Sequence, residues 1–207
     1  MNNYYEYIEA VKDCKDCRMN KKSLIHDSAF PLFMEKAPFS FDILFIMEAP
    51  NYQDTINPAK GFLTVNNETD PTGRFLYELF IESLGLDIRN LFLTNSVLCL
   101  PALIGGKYPV SSEQKYKCKE NLKKIIQDFD PLIVCPLGLQ ALKATQLIED
   151  HNLSKMSDAV AVEKKWFNRI LFPLYHTSSQ ARSSRSVEEQ KCDWAKLRKV
   201  FERVKAT

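Results

Sequence analysis

Apolar and polar positions alternate in two ways along the chain. Short, nearly continuous apolar runs occupy Phe41–Met47, Leu91–Val97, Pro131–Cys135 and Arg169–Tyr175. Runs of that length with no polar face mark strands buried on both sides. Between them, apolar residues recur at helical spacing: Phe75, Leu76, Leu79 and Phe80, then Cys118, Leu122, Ile125, Ile126 and Phe129, then the stretch Leu139–Ile148, and last Trp194, Leu197, Phe201 and Val204. Ser111 with Gln114, and Ser186 with Glu189, have the spacing of capping boxes that open two of these helices. Pro173 marks a strand end or an edge. Four apolar strands separated by helices predict a three-layer α/β/α fold around a central four-stranded, mainly parallel sheet. No repeat or low-complexity segment interrupts residues 1–207, which read as one domain.

Sheets of this kind bind ligands in the crevice beyond the carboxyl ends of their strands. Four segments fall there: Glu48–Asn51, Asn95, the Pro136–Gly138 turn, and His176–Ser179. A carboxylate, a carboxamide and an imidazole thus converge on one rim from distant parts of the chain. Phosphate-cradling chemistry is excluded, since neither Gly-x-x-x-x-Gly-Lys-Ser/Thr nor Gly-x-Gly-x-x-Gly occurs and the chain has only six glycines. A serine hydrolase would need a Gly-x-Ser-x-Gly elbow, also absent.

The 207 residues are 45% hydrophobic and 26% charged, a composition that excludes collagen-like and wholly disordered chains. The longest uncharged run near Asn90–Gly106 is too polar to span a membrane. The first 13 residues carry Glu6, Glu9, Lys12 and Asp13 with no apolar signal region, so the expectation is a cytoplasmic protein without membrane association. A net charge of +2 neither requires nor forbids nucleic acid. Basic residues concentrate between Arg182 and Lys205, where a solvated helix face is the simpler reading.

Six cysteines in such a chain argue against a disulfide framework. Cys14 and Cys17 form Cys-x-x-Cys, which reads as half a metal site, a redox pair or chance. A redox pair should open a helix after a buried strand, but this one follows Tyr4, Tyr5, Ile8 and Val11, a short amphipathic helix. Four thiolates would suit Zn²⁺ or an iron–sulfur cluster.

Read in order, these segments resemble the iron–sulfur uracil-DNA glycosylases, family four of the uracil-DNA glycosylase superfamily. The resemblance runs from Cys14 to the last helix. That family's Gly-Glu-Ala-Pro-Gly-x-x-Glu motif is matched by Met47-Glu48-Ala49-Pro50-Asn51-Tyr52-Gln53-Asp54. Gly61-Phe62 resembles the segment whose Phe stacks on the base. Thr94, Asn95 and Cys99, then Pro109, Glu113 and Cys118, follow in the family's order, and Pro131 to Gly138 is similar to its Pro-x-x-Ile-Val-x-Leu-Gly strand. His176-Thr177-Ser178 with Arg182 stands for the final His-Pro-Ser and Arg. There are departures. Both glycines of the first motif are replaced, by Met47 and Asn51, and the basic residues of the family's Arg-Pro-Pro-x-Asn-Arg are lost in Leu100-Pro101-Ala102-Leu103.

The resemblance implies a glycosylase that flips uracil, or a related deaminated base, out of DNA and hydrolyses its glycosidic bond in base-excision repair. Glu48 would orient the water and offset the positive charge of the sugar; alone, it would read as a capping carboxylate. His176 would donate to a base carbonyl as charge builds there; a lone His after a strand is more often structural. Asn95 would read the base edge, where a buried Asn could equally bridge two loops. Ala49, Asn51 and Phe62 would line the base pocket, although one Phe among 13 is ordinarily core. Ser178 and Arg182 would hold phosphates, against the alternative of a solvated Arg. Cys14, Cys17, Cys99 and Cys118 would hold a [4Fe–4S] cluster; Cys99 and Cys118 stand 19 positions apart, wider than the paired spacing common in zinc sites. Cys135 and Cys192 read as structural. The implied partner is DNA containing a deaminated base, bound by a monomer in the cytoplasm, at the nucleoid. The alternative is a non-catalytic iron–sulfur protein that binds nucleic acid; a zinc-stapled domain with a small-molecule ligand is a third reading.

Overall fold

A computed structural model describes residues 42–50, 70–87, 92–99, 101 and 103–206. The N-terminal helix expectation, Cys14, Cys17, Asn51 and Phe62 lie outside the described residues. The apolar runs become β1 (Ile43–Met47), β2 (Phe92–Asn95), β3 (Ile133–Pro136) and β5 (Arg169–Leu171), with β4 (Lys164–Trp166) added at one edge. The sheet order is β2-β1-β3-β5-β4. β2, β1, β3 and β5 run parallel to one another, and β4 runs antiparallel to β5.

The mainly parallel α/β sheet therefore matches the expectation, with five strands where four were foreseen. The fifth is a hairpin arm. Phe167 and Asn168 both take positive φ, 46° and 57°, as a two-residue turn between antiparallel strands requires. β5 is not the edge; it ends at Leu171, two residues ahead of Pro173.

Helix α1 (Pro71–Glu78) starts at Asp70, whose carboxylate accepts from Thr72 N–H at 3.0 Å, and Pro71 follows at the first helical position. It continues into a π-helical turn at Leu79–Leu84 that stops at Gly85, φ 73°. Helix α2 (Ser112–Phe129) and helix α6 (Val187–Lys205) both open with complete capping boxes, Ser111/Gln114 and Ser186/Glu189. α3 (Leu139–Gln146) follows β3 directly, and the short helices α4 (Met156–Ala159) and α5 (Ser179–Arg182) flank β4 and β5.

Strand alternation divides the core into two layers. Leu44, Ile46 and Val134 face Leu122, Ile125 and Ile126 of α2 and Ala141 and Leu142 of α3. Ile43, Phe45, Met47 and Cys135 face the α1 side and α6, through Phe75, Leu79, Phe80, Trp194 and Leu197. Trp194 stacks on Phe45 with ring centroids 5.1 Å apart and planes 10° from parallel. The basic side chains of α6 are largely engaged in ion pairs: Lys191 with Glu82, Arg198 with Glu202, Arg203 with Glu163 and Lys205 with Asp42. The charge pattern suggested a solvated helix face; the ion pairs across it are seen only in the structure. No helix among the described residues is long and apolar enough to cross a membrane.

Candidate active site

The chain leaves β1 toward β2 and leaves β3 toward β5, so connections diverge between β1 and β3. That divergence opens the crevice where α/β sheets bind ligands. Glu48 is the first residue beyond β1. Its backbone carbonyl accepts from Val97 N–H at 2.9 Å and from Ser96 Oγ at 2.8 Å, and Met47 O accepts from Ser96 N–H at 2.8 Å. The turn after β2 therefore fastens the rim of β1. Ala49 beside Glu48 is half-buried, and Pro50 is buried.

The Glu48 carboxylate is 40% exposed and lies 3.3 Å, Oε1 to Nζ, from Lys115 of α2. Lys115 is buried, and its ammonium also donates to Oε1 of Gln140 on α3. The carboxylate expected at this rim is thus present and held from behind by a cation.

His176 reaches the same rim from β5. Past Leu171 the chain remains beside β3: Leu174 pairs with Leu137, and Gly138 N–H donates to Leu174 O at 2.8 Å. Gly138 has φ 89°, and a Cβ there would stand 3.4 Å from His176 Cβ. That left-handed backbone favours glycine, since a side chain there would be strained. Ser178 N–H donates to His176 Nδ1 at 3.1 Å. A ring nitrogen that accepts carries no proton, so the neutral imidazole has its proton on Nε2. Burial lowers the pKa of His176 from its ordinary 6.5; the Asp70 carboxylate opposes this more weakly. The ring is accordingly a neutral Nε2–H donor at physiological pH.

The segment after His176 turns onto α1. Ser178 caps α5, accepting from Ala181 N–H at 3.4 Å, and the Arg182 guanidinium lies 5.1 Å over the Phe75 ring. Thr177, between His176 and Ser178, is fully buried, and its hydroxyl has no hydrogen-bond partner among the described residues.

Asn95 ends β2, level with Met47. It is fully buried, and neither atom of its amide has a partner among the described residues. An unpaired buried amide costs ~1–3 kcal/mol, so it calls for a functional or structural reason. A ligand edge offering one donor and one acceptor would satisfy it.

Cys99 lies four residues beyond Asn95 and is partly exposed; Cys118 is buried on α2. By their chemistry, Cys99 in the segment joining β2 to α2 and Cys118 in the second turn of α2 fit half of a four-thiolate donor set. Cys135, buried in β3, has its thiol pKa pushed well up by desolvation, which suits an inert core residue. Cys192 is exposed on α6.

The structure therefore brings Glu48, Ala49, Asn95, His176, Ser178 and Arg182 to one end of the sheet. Sequence reasoning did not find Lys115, Gln140 or Asp70. Lys115 carried one signal, a lysine on the apolar stripe of α2 beside Cys118 and Leu122, whereas Gln140 and Asp70 carried none.

The model of the family described as the uracil DNA glycosylase superfamily matches residues 37–199. That span includes Glu48, Asn95, Cys99, Cys118, His176 and Arg182 and begins after Cys14 and Cys17. The chain is also similar to the type-4 uracil-DNA glycosylase of Saccharolobus solfataricus, with 26% identity over 186 residues, 86% of this chain and 77% of that protein. With the family model matching well over half of its length and the rim residues in family order, this chain belongs to the uracil-DNA glycosylase superfamily.

Proposed function

We propose that this protein is a DNA N-glycosylase that extrudes uracil from the base stack and hydrolyses its N-glycosidic bond, as a step of base-excision repair. The observation that carries this reading is the neutral His176, with Nδ1 occupied by Ser178 N–H and Nε2–H left to donate, on the same rim as the Glu48 carboxylate.

Glycosidic cleavage makes two opposite charges. The C1′–N bond breaks, its electron pair leaves with the base, and the sugar becomes oxocarbenium-like. His176 Nε2–H donates to a base carbonyl oxygen, where the negative charge accumulates, and stabilises the transition state more than the ground state. A neutral donor is the better one here, since the proton stays on the ring and no acid form is needed. Glu48 orients a water toward C1′ and accepts its proton as the C1′–O bond forms. Asn95 pairs with the edge of the extruded pyrimidine and satisfies its own buried amide. Ala49, Asn51 and Phe62 line the base pocket, with Phe62 stacked on the ring, while Ser178 and Arg182 meet the phosphates. Met47 and Asn51, standing where the family motif has glycines, leave hypoxanthine or xanthine as further substrates.

Cys14, Cys17, Cys99 and Cys118 hold a [4Fe–4S] cluster in this reading. Bound there, the cluster would take thiolate ligation from these four cysteines and so cross-link the segments that carry them. The protein acts as a cytoplasmic monomer on DNA containing a deaminated base. The test is release of base from oligonucleotides carrying uracil, hypoxanthine or xanthine, read as alkali-labile abasic sites. Release of uracil supports the proposal; three intact oligonucleotides refute it.

A further inference from the structure

The apolar stripe of α2 runs through Lys115, Cys118, Leu122, Ile125 and Ile126, all of them buried. Leu122, Ile125 and Ile126 belong to the core, and Cys118 is buried on the same stripe. The first position, Lys115, holds an ammonium. Burying a charge is costly unless it is paired and hydrogen-bonded, and an apolar side chain would fill the stripe without that cost. The lysine has instead two acceptors, Glu48 Oε1 at 3.3 Å and Gln140 Oε1. Both lie at the rim, one beyond β1 and the other in the first turn of α3 after β3.

We infer that Lys115 is the positioning residue for Glu48. This inference rests on the proposed glycosylase reading and deepens it. A carboxylate at the end of a strand, 40% exposed, has several rotamers open to it. A buried ammonium fixed by Gln140 selects the one that points one oxygen back at α2 and leaves the other to hold a water. The same ammonium offsets part of the carboxylate's charge. Glu48 therefore contributes chiefly by orienting water and accepting its proton, and less as a bare counter-charge to the sugar.

The arrangement separates function from stability. Lys115→Met replaces a buried cation on an apolar stripe with an unbranched apolar chain of similar length, and it leaves no buried charge behind because Glu48 is open to water. Such replacements are often neutral or stabilising. The experiment is single-turnover uracil excision and thermal melting of Lys115→Met, Lys115→Arg, Glu48→Ala and the Glu48→Ala/Lys115→Met double variant. Lys115→Met should lose about tenfold in excision rate, as expected for a lost hydrogen bond to a charged group, with DNA affinity and Tm not lowered. Lys115→Arg should recover most of the rate. In the Glu48→Ala background the Lys115 substitution should change the rate less than twofold, since coupled residues are non-additive. Wild-type excision by Lys115→Met overturns the inference, as does an equal loss in both backgrounds or a fall in Tm that accounts for the lost rate. A wild-type protein that releases no base refutes the glycosylase reading itself, and this inference with it.

Discussion

Arg185 grips Asp193 through two nitrogens, Nε to Oδ2 at 2.9 Å and Nη2 to Oδ1 at 2.8 Å, and so fixes the end of the His176 segment to α6. Asp193 is buried, and the hydrogen bonds it accepts from Arg185 hold the guanidinium pKa above its ordinary value. Gln190 Nε2 donates to Arg185 O at 3.0 Å and secures the same corner. The imidazole is thereby anchored at both ends of its loop, by Gly138 on one side and by this clamp on the other.

Arg185→Met should therefore destabilise the protein, because among the described residues Asp193 would keep only Lys196, at 3.7 Å. Breaking one side of a buried pair costs ~3–5 kcal/mol, and the partial exposure of Arg185 places this case at or below the lower end. Urea denaturation should show it as a lower midpoint with an unchanged slope. Excision at a temperature where both proteins are folded should also slow, since the loop carrying His176 is loosened.

Gly138→Ala tests the other anchor. Alanine at φ 89° is strained by ~1–3 kcal/mol, and its Cβ would sit in contact with His176 Cβ at 3.4 Å. We expect reduced stability and a slower chemical step, with DNA affinity retained. Single-turnover rates compared with equilibrium binding would separate the two effects.

Acid should weaken the fold through two histidines. Burial is the main cause of the lowered pKa of both His176 and His151. His151 is fully enclosed: its Nε2 lies 3.1 Å from Leu142 O, and its Nδ1 accepts from Leu153 N–H. The unfolded chain binds protons near the ordinary pKa of 6.5, whereas the folded chain resists them. The stability contribution is present above pH 6.5 and is lost as pH falls through the lowered folded values. Protonating Nδ1 of His176 would also break its bond from Ser178 N–H. Thermal melts should fall between pH 7.5 and 5, and His151→Leu should remove part of that dependence. A flat profile over this range would show that neither ring is held neutral.

The cysteines give a spectroscopic test. Purified without oxygen, the protein should be brown, with broad visible absorption from thiolate-ligated iron. Cys99→Ala and Cys118→Ala should bleach it, as should Cys14→Ala and Cys17→Ala. Cys135→Ala and Cys192→Ala should not. A colourless protein carrying one zinc ion would replace the cluster with a zinc site.

Much of this was legible in the chain. The parallel strands announced themselves because a strand buried on both faces needs an unbroken apolar run, as in Ile43–Met47. The capping boxes were legible because Ser111 and Ser186 act on residues three positions away, within a single helical turn. β4 was not, since Lys164-Lys165-Trp166 lies at an edge and needs no apolar run, and its turn, Phe167-Asn168, lacks the glycine that usually marks such hairpins. Glu48, Asn95 and His176 were found because each lies within or just after the carboxyl end of an apolar run that reads as a strand. Lys115 and Gln140 were missed because their pairing spans two helices and the sheet, a tertiary contact with no local spacing. Asp70 was hidden in the same way: as a helix cap it was ordinary, and its proximity to His176 depends on how α1 meets the loop after β5.

The central claim is that Glu48 and His176 act together on one glycosidic bond, and single-turnover excision from a uracil-containing oligonucleotide tests it most directly. Under saturating enzyme, the wild type should release uracil. His176→Ala should slow release by ~10²–10³-fold, the loss expected for one preorganised donor to a developing anion, and Glu48→Ala should also slow it strongly. Both should bind the oligonucleotide nearly as well as the wild type. If both variants release uracil at the wild-type rate, these residues are not the catalytic pair and the account of the site is contradicted.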